Sequence, residues 1–179
     1  MIYYGSMTAY AYERCSTCRS LTLSSQVQNQ RDLYSETYYS FKMPSISFLK
    51  ILIFKLISIT PFKAWLATKA FKYKLRSIIL RHVARKEKIL DVGCGSGLLL
   101  HELSYLGYVD LQGIEPFLTC AVSGKVPIQN VTIDAVDATF DTIICHHVVE
   151  HVDDLNGFLE NLLSKLNKNG KLIISFPIM

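Results

Sequence analysis

Three glycines fall within five positions of ILDVGCGSGLLLHEL, after an apolar run that predicts a strand and before a leucine-rich helix. Gly93, Gly95 and Gly97 have no Cβ, so the main chain can turn tightly there and a ligand can approach it closely. The first turn of the following helix offers free N–H groups, which favour an anionic group. Asp91 lies at the end of the strand, where open parallel sheets bind ligands. This segment therefore predicts a site for a small charged ligand.

A second carboxyl group, that of Glu115, falls at the end of the next predicted strand, in VDLQGIEP. A carboxylate at that position can accept hydrogen bonds from both hydroxyls of a ribose. The glycine spacing is G-x-G-x-G rather than the G-x-G-x-x-G of dinucleotide-binding loops. The alternative is an ordinary glycine-rich turn between a strand and a helix. The two acids and the glycine spacing together favour a nucleoside site.

The segment HHVVEH, residues 146–151, offers side chains that can accept protons beside the same predicted cleft. A histidine can act as general base when the nucleophile is a hydroxyl group. His147 and His151 are therefore the candidate catalytic residues. The structural alternative is that Glu150 and His151 brace the following loop through hydrogen bonds. The two histidines also have the spacing of zinc ligands on one helix face, but a third ligand is not evident, so we predict no metal there.

The segment CSTC supplies two thiols, from Cys15 and Cys18. A closed structural zinc site needs four ligands, and the sequence contains no second Cys-x-x-Cys pair. We therefore predict no metal site and interpret these cysteines as a possible remnant of one.

Strands and helices alternate after Lys88, which is typical of a parallel sheet with helices on both faces. The predicted strands are KILDVG (88–93), VDLQGIEP (109–116), NVTIDAV (130–136), FDTIICHH (140–147) and KLIISFP (171–177). One predicted helix follows the glycines over 97–107. The other covers 153–170, with Asp153 or Asp154 as its N-cap and Gly170 at its end.

The chain of 179 residues is 50% hydrophobic and 19% charged, a balance typical of a globular protein. Its net charge of +4 hides an asymmetry. Residues 1–88 carry 15 Lys/Arg and 4 Asp/Glu, whereas residues 89–179 carry 4 and 11. Opposite charges on the two halves indicate two units with different roles.

Residues 37–86 contain 11 Lys/Arg and no acid, and predict two helices, around 46–59 and 62–84. The apolar segment 46–59 contains two lysines and is too short to cross a bilayer. This region could dock a phosphate-bearing substrate, lie in a membrane interface, or simply pack on the sheet with its lysines in solvent. Because the basic residues accompany aliphatic rather than aromatic side chains, we predict no nucleic-acid binding.

The motifs, in the order in which they occur along the chain, resemble those of the class I S-adenosylmethionine-dependent methyltransferases. ILDVGCGSG is similar to their first motif, GIEP to their acidic motif, FDTIICHHVVEHVDD to their fourth-strand motif, and LLSKLNKNGKLIISFP to their helix–turn–strand segment. The resemblance covers residues 89–179. It implies S-adenosylmethionine as the cofactor, held by Asp91, Gly93, Cys94, Gly95, Gly97, Glu115, Pro116, Asp134, Ala135 and His146.

The resemblance also implies a role for each group. The glycine loop would surround the amino acid moiety of the cofactor, and Glu115 would hold its ribose. Asp134 or Ala135 would lie beside the adenine, and His146 and His147 near the sulfonium.

The resemblance implies an α/β, Rossmann-like, doubly wound and mostly parallel sheet. We predict a degenerate zinc-ribbon-like segment over 1–42, a basic helical extension over 43–86 and the methyltransferase domain over 87–179. The family fold has seven strands, so the last two are expected to be missing. The open edge of the fifth strand would then be available for pairing with another chain.

The predicted activity is methyl transfer to a small-molecule or glycan-related acceptor. A nicotinamide-dependent oxidoreductase and a non-catalytic cofactor-binding fragment are the alternatives. The N-terminus resembles no secretory signal and the five cysteines show no disulfide framework, so we expect a cytoplasmic protein.

Overall fold

The computed structural model describes residues 11–24, 46–59, 74–118 and 126–177. The chain divides into two compact units, Met1–Tyr38 and Tyr39–Met179. In the first unit, β1 (Tyr12–Arg14) pairs antiparallel with β2 (Leu21–Leu23). The turn between these two strands contains the Cys-x-x-Cys segment.

The second unit holds a parallel sheet that, within the described residues, has five strands in the order β5-β4-β3-β6-β7. Its elements are α1 (Phe48–Ile59), α2 (Lys74–His82), β3 (Lys88–Val92), α3 (Leu98–Tyr105), β4 (Asp110–Ile114), β5 (Ile128–Gln129), β6 (Phe140–His146), α4 (Leu155–Ser164) and β7 (Leu166–Ser175). Short 3-10 helices cover Ile133–Ala135 and Val149–His151. This arrangement confirms the predicted Rossmann-like fold.

Side chains of the sheet alternate between two cores, one on each face, as the period of a strand requires. Ile89 of β3 contributes to a core shared with the helices α1, α2 and α3. Leu90 contributes to the opposite core, which contains Leu162 of α4. The basic helices therefore pack on the sheet, and the predicted domain boundaries at 42/43 and 86/87 stay predictions.

The strand register brings three strand ends to one edge of the sheet. Val92, the last residue of β3, is opposite Ile114 of β4 on one side and Cys145 of β6 on the other. The loops that leave these three strands are the ones that carry the predicted site residues.

The prediction of the third strand over 130–136 is wrong. The strand is Ile128–Gln129, placed by the hydrogen bonds from Gly113 N to Pro127 O (2.9 Å) and from Glu115 N to Gln129 O (3.0 Å). The following residues form a 3-10 turn, whose apolar side chains pack into the core that contains α4.

The predicted end of the last helix at Gly170 is also wrong. The helix α4 ends at Ser164, and Phe140 N donates to Lys165 O at 2.8 Å, which starts the pairing with β7 five residues earlier than predicted. Asp154 is the N-cap, with its carboxylate accepting from Gly157 N at 3.0 Å.

The predicted helix over 46–59 is confirmed as α1, and the described part of the next one is α2, while residues 62–73 lie outside the described residues. In the parts of the chain that the structure describes, no helix has the length and hydropathy needed to cross a bilayer.

Candidate active site

The glycine loop joins β3 to α3 in a backbone conformation that suits glycine. Gly97 caps the N-terminus of α3 with a φ of 77°, in the left-handed region. A Cβ at this position would lie 2.5 Å from Ile128 Cδ1, so a larger residue would be strained and would clash. Gly93 N and Cys94 N donate to Ile114 O at 2.9 and 3.1 Å, which ties the loop to the end of β4.

Glu115 turns its buried carboxyl group toward the glycine loop. Its Oε2 accepts a hydrogen bond from Gly95 N at 3.0 Å, and its Oε1 accepts one from Phe117 N at 3.2 Å. Burial raises the pKa of Glu115, and the two N–H donors oppose that rise. The structure therefore brings Glu115 and the glycine loop together, as the sequence predicts.

Asp91 is buried in the same place, at the end of β3. Loss of solvent raises its pKa to about 8, and the nearby charge of Glu115 contributes to the rise. Among the salt bridges of the described residues, none joins a cation to Asp91 or Glu115. Two acids buried together without a cation favour the binding of a positively charged ligand.

Cys94 is accommodated by a glycine that sequence reasoning missed. A Cβ on Gly113, in β4, would lie 2.5 Å from Cys94 Sγ and 2.9 Å from Leu100 Cδ1. A glycine inside a strand often marks such a close approach, so the sequence contained a usable signal. Burial raises the pKa of the Cys94 thiol, and the charges of Asp91 and Glu115 raise it further, so it stays a neutral apolar group.

Val148 is a second residue that the sequence analysis missed. Its Cγ2 lies 2.5 Å from the position that a Cβ on Gly93 would occupy, so the loop after β6 lies directly against the glycine loop. No sequence pattern marks this contact. It places the neighbouring histidines beside the glycine loop.

His146 ends β6, and its ring lies 4.3 Å from that of His147, measured between centroids. Its Nδ1 is buried and has no hydrogen-bond partner among the described residues. Burial lowers the pKa of His146, and the nearby charges of His147 and Arg76 lower it further. His146 is therefore neutral near pH 7.

His147 is exposed, and its backbone has a φ of 58°, with its N–H donating to Ser175 O at 2.8 Å. Its Nδ1 lies 3.1 Å from Glu150 Oε1. An ionised carboxylate only accepts hydrogen bonds, so this contact places the proton of neutral His147 on Nδ1 and leaves Nε2 as a proton acceptor. Glu150 therefore pairs with His147, while His151 lies exposed at the end of a 3-10 helix.

The remaining predicted cofactor residues lie around this centre. Pro116 follows Glu115 and is half-buried, whereas Asp134 and Ala135 are exposed in the 3-10 helix after β5. Their contact with adenine stays a prediction.

Cys15 and Cys18 are exposed in the first unit. Backbone N–H groups of Cys18 and Thr17 lower the pKa of Cys15 to about 7. Within the described segments, no group of three or more His, Cys, Asp or Glu could hold a metal ion.

Comparison with known proteins identifies a family. The family model described as a methyltransferase domain matches residues 66–177, which is more than half of the chain. The ubiquinone biosynthesis O-methyltransferase of Rickettsia akari is 37% identical over 105 residues, covering 53% of this chain and 41% of that protein. The mitochondrial protein of the same name from Schizosaccharomyces pombe is 28% identical over 102 residues, covering 50% and 37%. The chain spans about two fifths of the length of the curated relatives it matches.

Solved structures with similar chains include an S-adenosylmethionine-dependent methyltransferase from Mesorhizobium loti, with a TM-score of 0.42, 15% identity and coverage of 50% of this chain and 46% of that one. Another is StiE O-MT, with a TM-score of 0.47, 19% identity and coverage of 74% and 52%. The family assignment depends on the matched domain rather than on these structures. The chain therefore belongs to the methyltransferase-domain family, which confirms the class I S-adenosylmethionine-dependent methyltransferase family predicted from its motifs.

Proposed function

We propose that this protein transfers a methyl group from S-adenosylmethionine to an oxygen atom of a small-molecule acceptor. The observation that carries the proposal is the pair of buried acids, Asp91 and Glu115, beside the glycine loop and without a paired cation among the described residues. The names of the curated relatives, ubiquinone biosynthesis O-methyltransferases, support oxygen as the atom that is methylated.

The charge of the site favours this cofactor over a nicotinamide dinucleotide. S-Adenosylmethionine carries a sulfonium and an ammonium group, whereas a dinucleotide carries a diphosphate. Unlike charges attract more strongly where solvent is excluded, and like charges repel more strongly for the same reason. Asp91, which can ionise beside a cation but not beside a diphosphate, therefore favours S-adenosylmethionine, whereas Glu115 could accept ribose hydrogen bonds from either cofactor.

We assign the contacts by position. Asp91 and the backbone of the glycine loop hold the amino acid moiety, and Glu115 accepts hydrogen bonds from the ribose hydroxyls. Pro116, Asp134 and Ala135 lie on the adenine side. The chemistry that the cofactor supplies when bound is a methyl carbon that its sulfonium already activates.

The protein's contribution to the reaction is alignment and removal of one proton. We propose that His147 Nε2 accepts the proton of the attacking hydroxyl group. Glu150 holds the opposite nitrogen, Nδ1, at 3.1 Å and stabilises the imidazolium that forms. His146 stays neutral at the end of β6, where it lines the site without adding charge.

The experiment is methyl transfer from labelled S-adenosylmethionine to a panel of acceptors that includes phenols, catechols and sugars. His147→Gln should lower kcat by about 100-fold or more, the usual contribution of a general base, and leave the affinity for S-adenosylhomocysteine unchanged. The matched control is His82→Gln, at the exposed end of α2, which should behave as wild type.

Glu150→Gln should also lower kcat, because the imidazolium that forms loses its paired carboxylate. Equal kcat values for the wild type and His147→Gln would contradict the assignment of the base. Binding of the cofactor without turnover of any acceptor would instead favour the non-catalytic alternative. If only the sugars were methylated, the acceptor would be glycan-related.

A further inference from the structure

The helix α1 is held on the sheet in one orientation by its inner face. Phe54 is buried in the core that also contains α2 and α3. Lys50 Nζ donates to Glu102 Oε1 at 2.6 Å, and Arg76 of α2 donates to the other oxygen of the same carboxylate. Glu102 is buried within α3. Because removing one partner of a buried ion pair is costly, these contacts fix which side of α1 faces outward.

The outer face of α1 is apolar. Five side chains on it are between 41 and 81% exposed: Phe48, Leu49, Leu52, Ile53 and Leu56. Their spacing places them on one continuous arc of about 140° of the helix surface, which is the width of an amphipathic face. Soluble proteins rarely expose a contiguous apolar patch of this kind, and such patches mark interaction sites.

Lysines border this apolar face on both sides. The helical period places Lys50 at one margin and Lys55 at the other, and both side chains are partly or largely exposed. The helix contains no acid, and neither does the rest of the segment from 37 to 86. Lys50 already pairs with Glu102, so Lys55 and the other basic residues of this acid-free segment supply the net positive charge that favours phosphates.

We propose that the outer face of α1 lies in the surface of an anionic phospholipid bilayer. The helix has 12 residues and is therefore about 18 Å long, less than the roughly 30 Å of a bilayer's hydrocarbon core, so it lies in the plane of the interface. Basic side chains near the surface strengthen binding to anionic lipid. A second copy docked through this face would bring two basic, acid-free segments together, which disfavours a dimer. The proposal does not depend on methyl transfer.

The test is co-sedimentation of the protein with vesicles of phosphatidylglycerol and phosphatidylcholine in equal parts, and of phosphatidylcholine alone. The test variant is Leu52→Asp with Leu56→Asp. The matched control is Leu155→Asp with Leu163→Asp on α4, which packs on the opposite face of the sheet. The first pair is 46 and 53% exposed and the second pair 45 and 57%, so both variants should fold, as circular dichroism will check.

Wild type and the α4 variant should bind the anionic vesicles, and the α1 variant should bind at least 10-fold more weakly. Lys55→Gln should weaken binding to anionic vesicles about fivefold, the effect of one basic residue near the surface, and binding to neutral vesicles hardly at all. Equal binding of the α1 and α4 variants, or no binding of wild type to anionic vesicles, would overturn the proposal. A wild-type dimer without lipid that the α1 variant loses would assign the face to a second copy instead.

Discussion

The ionisation of Asp91 should depend on what occupies the site. Burial raises its pKa to about 8, and Glu115 adds to that rise, so the ligand-free protein holds Asp91 protonated at neutral pH. A cation beside the carboxyl group would lower that pKa again. Binding of a positively charged ligand at pH 7 should therefore release a proton.

The first prediction is that the affinity for S-adenosylhomocysteine, whose ammonium would lie at Asp91, rises as the pH increases from 6 to 8. The rise should approach tenfold per pH unit and then level off above pH 8, where Asp91 is already ionised. Calorimetry at pH 7 in buffers of different ionisation enthalpy should detect the released proton. Asp91→Asn should abolish both effects, and proton release that persists in this variant would contradict the prediction.

The same shift has a consequence for the stability of the ligand-free protein. The pKa of Asp91 is higher in the folded state than its ordinary value of 3.8. Between about pH 4 and pH 8, Asp91 therefore carries a proton in the folded state but not in the unfolded state. The stabilisation that Asp91 gives is complete below about pH 4, and the free energy of unfolding decreases as the pH rises from 4 to 8.

At the scale of elements, the glycine loop keeps its shape because Gly113 of β4 leaves room for Cys94. We predict that Gly113→Ala costs about 1–3 kcal/mol of stability, the usual effect of overpacking, and weakens S-adenosylhomocysteine binding. Cys94→Ala in the same chain should recover part of both losses, because it removes the Sγ atom that lies 2.5 Å from the new methyl group. Denaturant unfolding and calorimetry of the four proteins measure this coupling. Equal effects of Gly113→Ala with and without Cys94 would contradict it.

The sequence places correctly the elements whose pattern lies within one continuous segment of the chain. The strand β3, the glycine loop and α3 follow one another in a continuous segment, and the position of Glu115 follows from the next strand. The third strand was misplaced because Val131, Ile133 and Val136 offer apolar side chains at near-strand spacing, although they pack from a turn. The true strand, of two residues, is too short to produce a periodic pattern.

The contacts that sequence reasoning missed join residues distant in the sequence. Val148 lies against Gly93 only because β3 and β6 are neighbours in the sheet. The early start of β7 depends on the hydrogen bond from Phe140 to Lys165, and the glycine at 170 resembled a helix end. Glu102 would be interpreted as a solvent-facing acid of α3 from its sequence alone, since its two cations come from α1 and α2.

At the scale of the whole molecule, the opposite net charges of residues 1–88 and 89–179 correspond to different parts of the structure. The acidic half contains the buried pair that favours a cationic cofactor, and the basic half contributes the helices that pack beside it. Within the described residues, β7 is an edge strand paired only with β6. Pairing of that edge with another chain stays a prediction, as does the cytoplasmic location.

The most direct test of the cofactor site is a calorimetric titration of the protein with S-adenosylhomocysteine and, separately, with NAD. The wild type should bind the first and not the second. Glu115→Gln should weaken that binding at least 10-fold, because a charged acceptor of the ribose hydrogen bonds is lost, while Asp110→Asn at the opposite end of β4 should bind as wild type. Binding of NAD, or equal binding of S-adenosylhomocysteine by the wild type and Glu115→Gln, would show that the glycine loop and Glu115 do not form this site.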